Sequence, residues 1–279
     1  MQTHRYFRLV FILLLLTLAL CTPALMRRGS MQDAQPAAPP KYAVFEYFKA
    51  VPGKLAEQRQ LQRELWLPIH RERAKRGLIK SWSLWESQFP SGPQGDFDFV
   101  TITTYEKFAE VEASYPAEVF TQAHPKLTPK LTEAEINRRT ELSRQQPRTE
   151  LMRLASHTEL NPQPLPPGLM LDFFQADNGG AYLSVENKYW KPMHEERIKR
   201  EMLRGWQVYG AIYPSGADRP YNFITLGFYD KFAQFETPYT TELVIKANPG
   251  VNLADMSKQT DAARKFLRKE VLKLVEQAP

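Results

Sequence analysis

The segment Trp66–Ala109 recurs without a gap as Trp190–Ala233, at an offset of 124 residues. Identical residues occupy 17 of the 44 positions, and they include the motif WxPxH and a PSG tripeptide in both copies. Two copies of one pattern of apolar and polar positions fold as two copies of one structural unit. The sequence therefore predicts two repeats, over residues 41–156 and 169–279.

The N-terminus has the layout of a secretory signal. Arg5 and Arg8 precede an apolar run that ends at Cys21, and small or turn-forming residues follow. We expect residues 1–28 to act as a signal peptide or an N-terminal anchor, and the Pro- and Ala-rich residues 29–40 to form a tether. Export to the periplasm or the extracellular space follows. Two alternatives to cleavage after Cys21 are a lipoprotein anchored through an acylated Cys21 and an uncleaved N-terminal anchor. A membrane is expected as a partner only through this segment.

Charge and cysteine content limit the partners and the chemistry. Cleavage after Cys21 lowers the formal charge from +6 to +4, because residues 1–21 carry two arginines, Arg5 and Arg8, and no acidic residue. The basic run Arg71–Arg76 is interrupted by Glu72, which is typical of a solvated helix face, so nucleic acid is not expected as a partner. The single cysteine lies in the signal, so the predicted domain has neither a disulfide nor a thiol nucleophile.

Each repeat shows the order strand, helix, strand, strand, helix, strand. Aromatic and β-branched residues predict first strands at 41–50 and 169–176, and an apolar stripe spaced four residues apart predicts the helix that follows. Two strands then flank the PSG turn, and closing strands are predicted at 149–154 and 269–274. The order βαββαβ produces a four-stranded antiparallel sheet with both helices on one face.

The other face of such a sheet is apolar and needs a cover, which a second copy on the same chain supplies. This pattern resembles the dimeric α+β barrel superfamily, in which two ferredoxin-like units close their sheets into one barrel, and it is most similar to the NIPSNAP and EthD-like members. The resemblance implies an α+β fold whose two βαββαβ repeats form a pseudo-dimeric barrel within one chain rather than a homodimer. The Pro-rich linker at 157–168 is long enough for this, because it spans up to about 36 Å when extended.

The first candidate site is a polar stripe on the first helix of each repeat. Trp66, His70 and Arg73 stand at i, i+4 and i+7, so they share one helix face. The second repeat has the same stripe: Trp190, His194 and Arg197. A histidine held between an indole and a cation is neutral at pH 7 and can act as a base or a hydrogen-bond partner. The alternative is that the stripe only seals the contact between helix and sheet.

Two further matched pairs bear on this site. Pro68 and Pro192 each remove a backbone hydrogen bond, so we expect the helix to kink or restart where the histidine lies. Trp82 and Trp206 lie on the predicted hairpin, where they are candidates for ligand contact or for packing in the core.

Glu46 and Asp172 are the second pair of catalytic candidates. If Phe45 and Tyr47 face the helices, strand alternation turns Glu46, and Asp172 in the second repeat, toward the barrel interior. An acid among aromatic residues has a raised pKa and could act as a general acid or base. The alternative is a carboxylate near a strand end, paired with a lysine or an arginine.

No metal and no cofactor are expected from the sequence. The five histidines are scattered and show no spacing typical of a metal site. The resemblance includes haem-degrading enzymes with an axial histidine on the second helix. This chain has His124 in that region of the first repeat but Asn248 in the second, which argues against haem.

Three functions fit these observations. The first is the binding of a small apolar or aromatic ligand in the barrel or in a cleft at the helix edge. The second is an isomerase or oxygenase of the barrel superfamily that needs no cofactor and uses His70, His194, Glu46 and Asp172 as acids and bases. The third is a structural role among the components of the cell envelope.

Overall fold

The structure is a computed structural model that describes residues 40–90, 95–112, 115–125, 132–158, 164–216 and 218–279, with only the backbone of Pro147. The predicted signal with Cys21 and nearly all of the predicted tether lie outside the described residues, as does the centre of the predicted linker. None of the helices within the described ranges is long and apolar enough to cross a membrane.

The first half of the chain follows the predicted order of elements. Its strands are β1 (Tyr42–Ala50), β2 (Ser81–Phe89), β3 (Phe99–Tyr105) and β4 (Arg144–His157). Its helices are α1 (Leu55–Leu61), α2 (Leu67–Lys75), α3 (Ala117–Ala123) and α4 (Glu133–Ser143). A π-helical turn, Gln62–Trp66, joins α1 to α2, and a 3-10 turn, Phe108–Val111, follows β3.

The second half repeats this order. Its strands are β5 (Gly168–Gln175), β6 (Gly205–Tyr213), β7 (Phe223–Tyr229) and β8 (Lys265–Ala278). Its helices are α5 (Gly179–Val185), α6 (Lys191–Lys199), α7 (Thr241–Ala247) and α8 (Leu253–Ala263). The π-helical turn is Glu186–Trp190, and the 3-10 turn is Phe232–Glu236.

These strands form one closed antiparallel barrel in the order β1, β3, β2, β8, β5, β7, β6, β4. Strands of the two halves pair twice, β2 with β8 and β4 with β6. Aromatic side chains of both halves meet in the interior, where the ring of Phe45 lies 5.6 Å from that of Tyr209 and Trp85 lies 6.2 Å from Phe228. The α+β class and the antiparallel barrel are thus confirmed.

The faces of β1 are opposite to the expectation. Phe45 and Tyr47 are fully buried inside the barrel, whereas Phe48 packs in the cluster between sheet and helices. Glu46 and Asp172 therefore point toward the helices, and the expectation that they face the interior is wrong. Alternation fixes which residues share a face but not which face is inward, and both faces of β1 carry aromatic side chains.

The closing strands are longer than predicted. Strands β4 and β8 have 14 residues each, while the sequence predicted six residues at 149–154 and at 269–274. Their first residues are mostly polar and therefore carry no apolar alternation to reveal a strand. The extra length lets β4 pair with both β1 and β6, which closes the barrel.

Each half interrupts its first long helix with the π-helical turn. The backbone N–H of Leu67 donates to the carbonyl of Gln62, five residues back, and Lys191 makes the equivalent bond in the second half. Pro68 and Pro192 are then the second residues of the α-helices that follow the π-helical turns, so each missing N–H falls next to a turn where the regular helical bonding is shifted. The expected restart is present, and it begins three residues before each histidine.

Candidate functional site

Each half stacks its candidate histidine on a tryptophan of the sheet. The ring centroids of His70 and Trp82 are 4.3 Å apart with an interplanar angle of 11°, and those of His194 and Trp206 are 4.7 Å apart at 21°. The helix tryptophans of the same stripe lie 5.9 and 6.4 Å from the imidazoles: Trp66 and Trp190. Each imidazole is therefore held among aromatic rings on the helix side of the barrel.

Burial makes both imidazoles neutral. Desolvation holds the pKa of His70 and of His194 well below the ordinary value, and the nearby guanidiniums of Arg73 and Arg197 lower it further. A neutral imidazole can donate one hydrogen bond and accept another, whereas the same burial disfavours its protonated form.

The two histidines differ in their hydrogen bonds. Nδ1 of His70 lies 3.0 Å from Nη1 of Arg73. In the second half Nη1 of Arg197 donates instead to the hydroxyl of Tyr239 at 2.8 Å, and Nδ1 of His194 has no hydrogen-bond partner among the described residues. Leaving a buried polar group unpaired costs about 1–3 kcal/mol, so His194 retains bonding capacity that a ligand can use.

A cavity lies beside each histidine, between the sheet and the helices. The first-half cavity, beside His70, has a volume of about 170 Å³, and the second-half cavity, beside His194, has a volume of about 440 Å³. Ligand sites in proteins commonly span about 300–1,000 Å³. Of these two cavities, the one in the second half is large enough for a ligand of that kind.

The strand acids line the same cavities as the histidines. Glu46 lines the first-half cavity with His70, and Asp172 lines the second-half cavity with His194. The helix stripe and the hairpin complete the walls in both halves: Trp66, Trp82, Trp190 and Trp206. The two sets of catalytic candidates, predicted separately from the sequence, therefore belong to one site in each half.

Charged side chains distinguish the second-half cavity. Its described lining includes three cations and three acids: Arg197, Arg264, Lys269, Asp172, Glu186 and Glu236. Glu186 forms an ion pair with Arg264, and Nζ of Lys269 lies 3.7 Å from Oδ1 of Asp172. Burial raises the pKa of Asp172, and it raises the pKa of Glu186 to about 7 although Arg264 opposes the shift. A carboxyl group that titrates near neutrality is suited to general acid–base chemistry.

The first half has neutral side chains at two of these positions. Gln62 stands where the second half has Glu186, at the offset of 124, and Thr149 stands where it has Lys269, at the offset of 120 that relates the closing strands. Glu46 accepts hydrogen bonds from the Thr101 hydroxyl at 3.1 Å and from a glutamine amide at 3.3 Å. The two halves thus share one framework but differ in charge.

Sequence reasoning missed Glu186, Arg264 and Lys269. A signal for Glu186 was present, because extending the offset of 124 by four residues before the Trp66–Ala109 match pairs Gln62 with Glu186. A search for identical residues passes over that pair, since the two residues differ.

The other candidate histidine has a structural role. Nε2 of His124 lies 3.0 Å from the carbonyl oxygen of Leu65, and the amide of Asn248 donates to the carbonyl of Tyr189 at 3.3 Å. Both side chains bind a carbonyl of a π-helical turn, where the regular helical bonding is shifted. Within the part of the chain that the structure describes, no group of three or more His, Cys, Asp or Glu side chains could hold a metal ion.

Comparison with known proteins identifies the fold. No protein-family model matches the chain, and no curated protein is similar to it in sequence. A candidate monooxygenase from Fusobacterium nucleatum superposes with a TM-score of 0.50 at 6% identity, covering 87% of this chain and 95% of that chain. A haem-binding protein from Thermus thermophilus superposes with a TM-score of 0.48 at 10% identity, covering 84% of this chain and 91% of that chain. A chlorite dismutase variant from Candidatus Nitrospira defluvii superposes with a TM-score of 0.46 at 8% identity, covering 84% of this chain and 90% of that chain. The protein has the dimeric α+β barrel fold.

These comparisons correct one expectation. The sequence predicted that the protein has no cofactor, and this is contradicted, because solved structures that share the fold include chlorite dismutases and a haem-binding protein. Haem was considered unlikely because the first half has His124 where the second has Asn248, but the histidines that line the cavities are His70 and His194.

Proposed function

We propose that the second-half cavity is the active site of an oxygenase- or isomerase-type enzyme that acts on a small, flat aromatic molecule with an acidic group. The observation that carries this proposal is the buried Glu186 carboxyl, with a pKa of about 7, in a cavity of about 440 Å³. Folding does not require a carboxyl group at this position, because the first half forms the same framework with Gln62. An enzyme is therefore a better account than a passive binding module.

The walls of the cavity select the substrate class. Trp190 and Trp206 line it with further aromatic side chains, which suits the face of a flat ring. Arg197 and Lys269 add positive charge at the same cavity, which suits a carboxylate, an enolate or a phenolate. The first-half cavity is too small for such a molecule and has no counterpart of Lys269.

The proposed chemistry is a proton transfer that creates an anion. The Glu186 carboxylate accepts a proton from an acidic O–H or C–H group of the substrate, and Arg264 and Lys269 stabilise the resulting anion. Asp172 and the neutral His194 are positioned to hold or return the proton. Returning it to a different atom gives an isomerisation. Dioxygen is the oxidant of the alternative reaction: the electron pair of the anion forms a C–O bond to dioxygen, and the resulting peroxide anion takes up the proton to give a hydroperoxide.

Haem is a second candidate ligand of the same cavity. His194 is neutral, lines the cavity and has a ring nitrogen without a hydrogen-bond partner in the described structure, so its imidazole fits the role of an iron ligand. Arg197 and Arg264 would pair with the propionate carboxylates. Bound haem supplies redox chemistry at its iron.

Haem titration followed by absorbance tests this second candidate. Wild type and His70→Ala are expected to develop a Soret band at a stoichiometry of one, and His194→Ala is expected to lose it or shift its position. An unchanged spectrum in His194→Ala would exclude His194 as the ligand.

Turnover of a dihydroxynaphthalene, measured as oxygen uptake and as a change in product mass, tests the enzyme proposal. We expect turnover by wild type, a loss of at least about tenfold in Glu186→Gln, and little change in the first-half control Gln62→Glu. Glu186→Gln is a well-matched variant because it introduces the residue that the first half already has. Equal turnover in wild type and Glu186→Gln would refute the acid–base role.

We also propose that the two halves are a tandem duplication forming an intramolecular pseudo-dimer similar to the NIPSNAP and EthD-like proteins. The repeated segment and the pairing of β2 with β8 and of β4 with β6 within one chain support this. Export through residues 1–28 is proposed on the sequence pattern, and mass measurement of the protein recovered from the producing cell tests it.

A further inference from the structure

Two arginines point into one end of the barrel from the closing strands. Arg148 lies on β4, and Arg268 lies at the equivalent position of β8, at the offset of 120. The guanidinium of Arg148 lies 3.8 Å from the ring centroid of Tyr47, and that of Arg268 lies 4.4 Å from the ring of Phe173. Both rings are fully buried in the barrel interior. The arginines are therefore on the opposite face of the sheet from the two cavities.

The same end of the barrel holds buried polar atoms that lack partners. Two residues after each arginine comes a glutamate, Glu150 on β4 and Glu270 on β8, each with a side chain only 4% exposed. Within the described structure, Nη2 of both arginines and Oε2 of both glutamates have no hydrogen-bond partner. A buried polar atom that stays unpaired destabilises the folded protein. The repetition of the same atoms in both halves indicates a built site with donors and acceptors.

The two guanidiniums are close enough for one anion to contact both. Oδ2 of Asp96 lies 2.7 Å from Nη1 of Arg268 and 3.9 Å from Nη1 of Arg148. The Asp96 side chain is 51% exposed, so its carboxylate can be displaced into water at small cost. Asp96 therefore shows that an oxyanion fits between the arginines.

The glutamates restrict which oxyanion fits best. Oε1 of Glu150 accepts from the Tyr221 hydroxyl at 2.6 Å and from Arg219 at 2.9 Å, while Oε1 of Glu270 lies 2.9 Å from Nε of Arg268. Their Oε2 atoms need a donor. An oxyanion that carries a hydroxyl provides both parts, since its oxygens accept from the arginines and its hydroxyl donates to a glutamate.

We propose that Arg148 and Arg268 form a binding site for a hydroxyl-bearing oxyanion, of which hydrogen phosphate is the simplest, and that Asp96 competes with it. The site is independent of the second-half cavity, because it lies inside the barrel. The site should bind sulfate less tightly than hydrogen phosphate, since sulfate carries no proton at neutral pH and leaves the glutamate oxygens without a donor.

Calorimetric titration of the full chain with inorganic phosphate and with sulfate, at matched ionic strength, tests this site. We expect phosphate to bind at least about tenfold more tightly than sulfate, and Arg268→Gln to weaken phosphate by about tenfold or more. Asp96→Asn removes the competing charge and is expected to tighten phosphate binding by about tenfold. The control is Asp230→Asn, because Asp230 is a similarly exposed carboxylate paired with Arg204.

Asp96→Asn keeps the test decisive even if an arginine variant fails to fold, because Asp96 lies at the surface. Equal affinity for phosphate and sulfate, or identical phosphate affinity in Asp96→Asn and Asp230→Asn, would overturn the proposal. Phosphate binding by wild type that is tightened only in Asp96→Asn and lost in Arg268→Gln would support it.

Discussion

Glu186 and Arg264 form an ion pair whose side chains are only 1% and 10% exposed. The first half has Gln62 and Arg144 at the equivalent positions, so the same framework folds without a carboxylate there. Burying an ion pair costs desolvation energy that its attraction often fails to recover. The second half therefore maintains a charge that folding does not require, which favours a functional role for Glu186.

The stability of the protein should depend on pH through Glu186. Its pKa of about 7 in the folded state lies above the ordinary value of 4.5, so the native protein keeps a proton that the unfolded chain releases. Stability should then fall as the pH rises from about 4.5 to 7, by on the order of 3 kcal/mol at most. Glu186→Gln should abolish this part of the pH dependence. Urea unfolding at pH 5 and pH 8 measures it, with the exposed Glu64→Gln as the control, which should behave as wild type.

The two histidines should differ in their contribution to stability. His70→Ala removes both a ring stacked on Trp82 and the partner of an Arg73 N–H, so we expect a loss of about 2–4 kcal/mol. His194→Ala removes a stacked ring but no hydrogen bond at Nδ1, and it should cost about 1 kcal/mol less. Urea denaturation of the two variants makes the comparison. A larger loss in His194→Ala would contradict the assignment of its free nitrogen.

His124 should be replaceable by the residue of the other half. His124→Ala leaves the Leu65 carbonyl without its side-chain partner and should cost about 0.5–1.5 kcal/mol, and Asn248→Ala should cost a similar amount at Tyr189. His124→Asn should recover most of the loss, because asparagine makes this contact in the second half. Thermal unfolding of the three variants checks this, and a failure of His124→Asn to exceed His124→Ala would count against a structural role.

The repeat predicted the order of elements and the helix stripe, but it could not orient the strands. Phe45 and Phe48 lie on opposite faces of β1 and are equally apolar, so hydrophobicity did not distinguish the interior from the helix side. As a result, the sequence predicted that Glu46 and Asp172 lie inside the barrel, whereas both line the cavities beside the histidines.

The charged part of the second-half cavity was not predictable from matching residues. Comparison of the copies emphasises identities, whereas Glu186 and Lys269 are functional candidates because they differ from Gln62 and Thr149. Arg264 lies outside the gapless match and reaches the cavity only because α8 and β8 meet there. These charged residues come together only when the barrel closes, and local sequence patterns do not predict that closure.

The most direct test of the central claim places a larger side chain in one cavity at a time. Thr101 and Thr225 are equivalent buried residues that line the first-half and second-half cavities. We predict that Thr225→Leu weakens binding of naphthoate, a flat aromatic carboxylate, by at least about tenfold in calorimetric titration, while Thr101→Leu leaves it unchanged. The melting temperature of each variant checks its fold. Loss of binding in Thr101→Leu with binding retained in Thr225→Leu, or no naphthoate binding by wild type, would contradict the account.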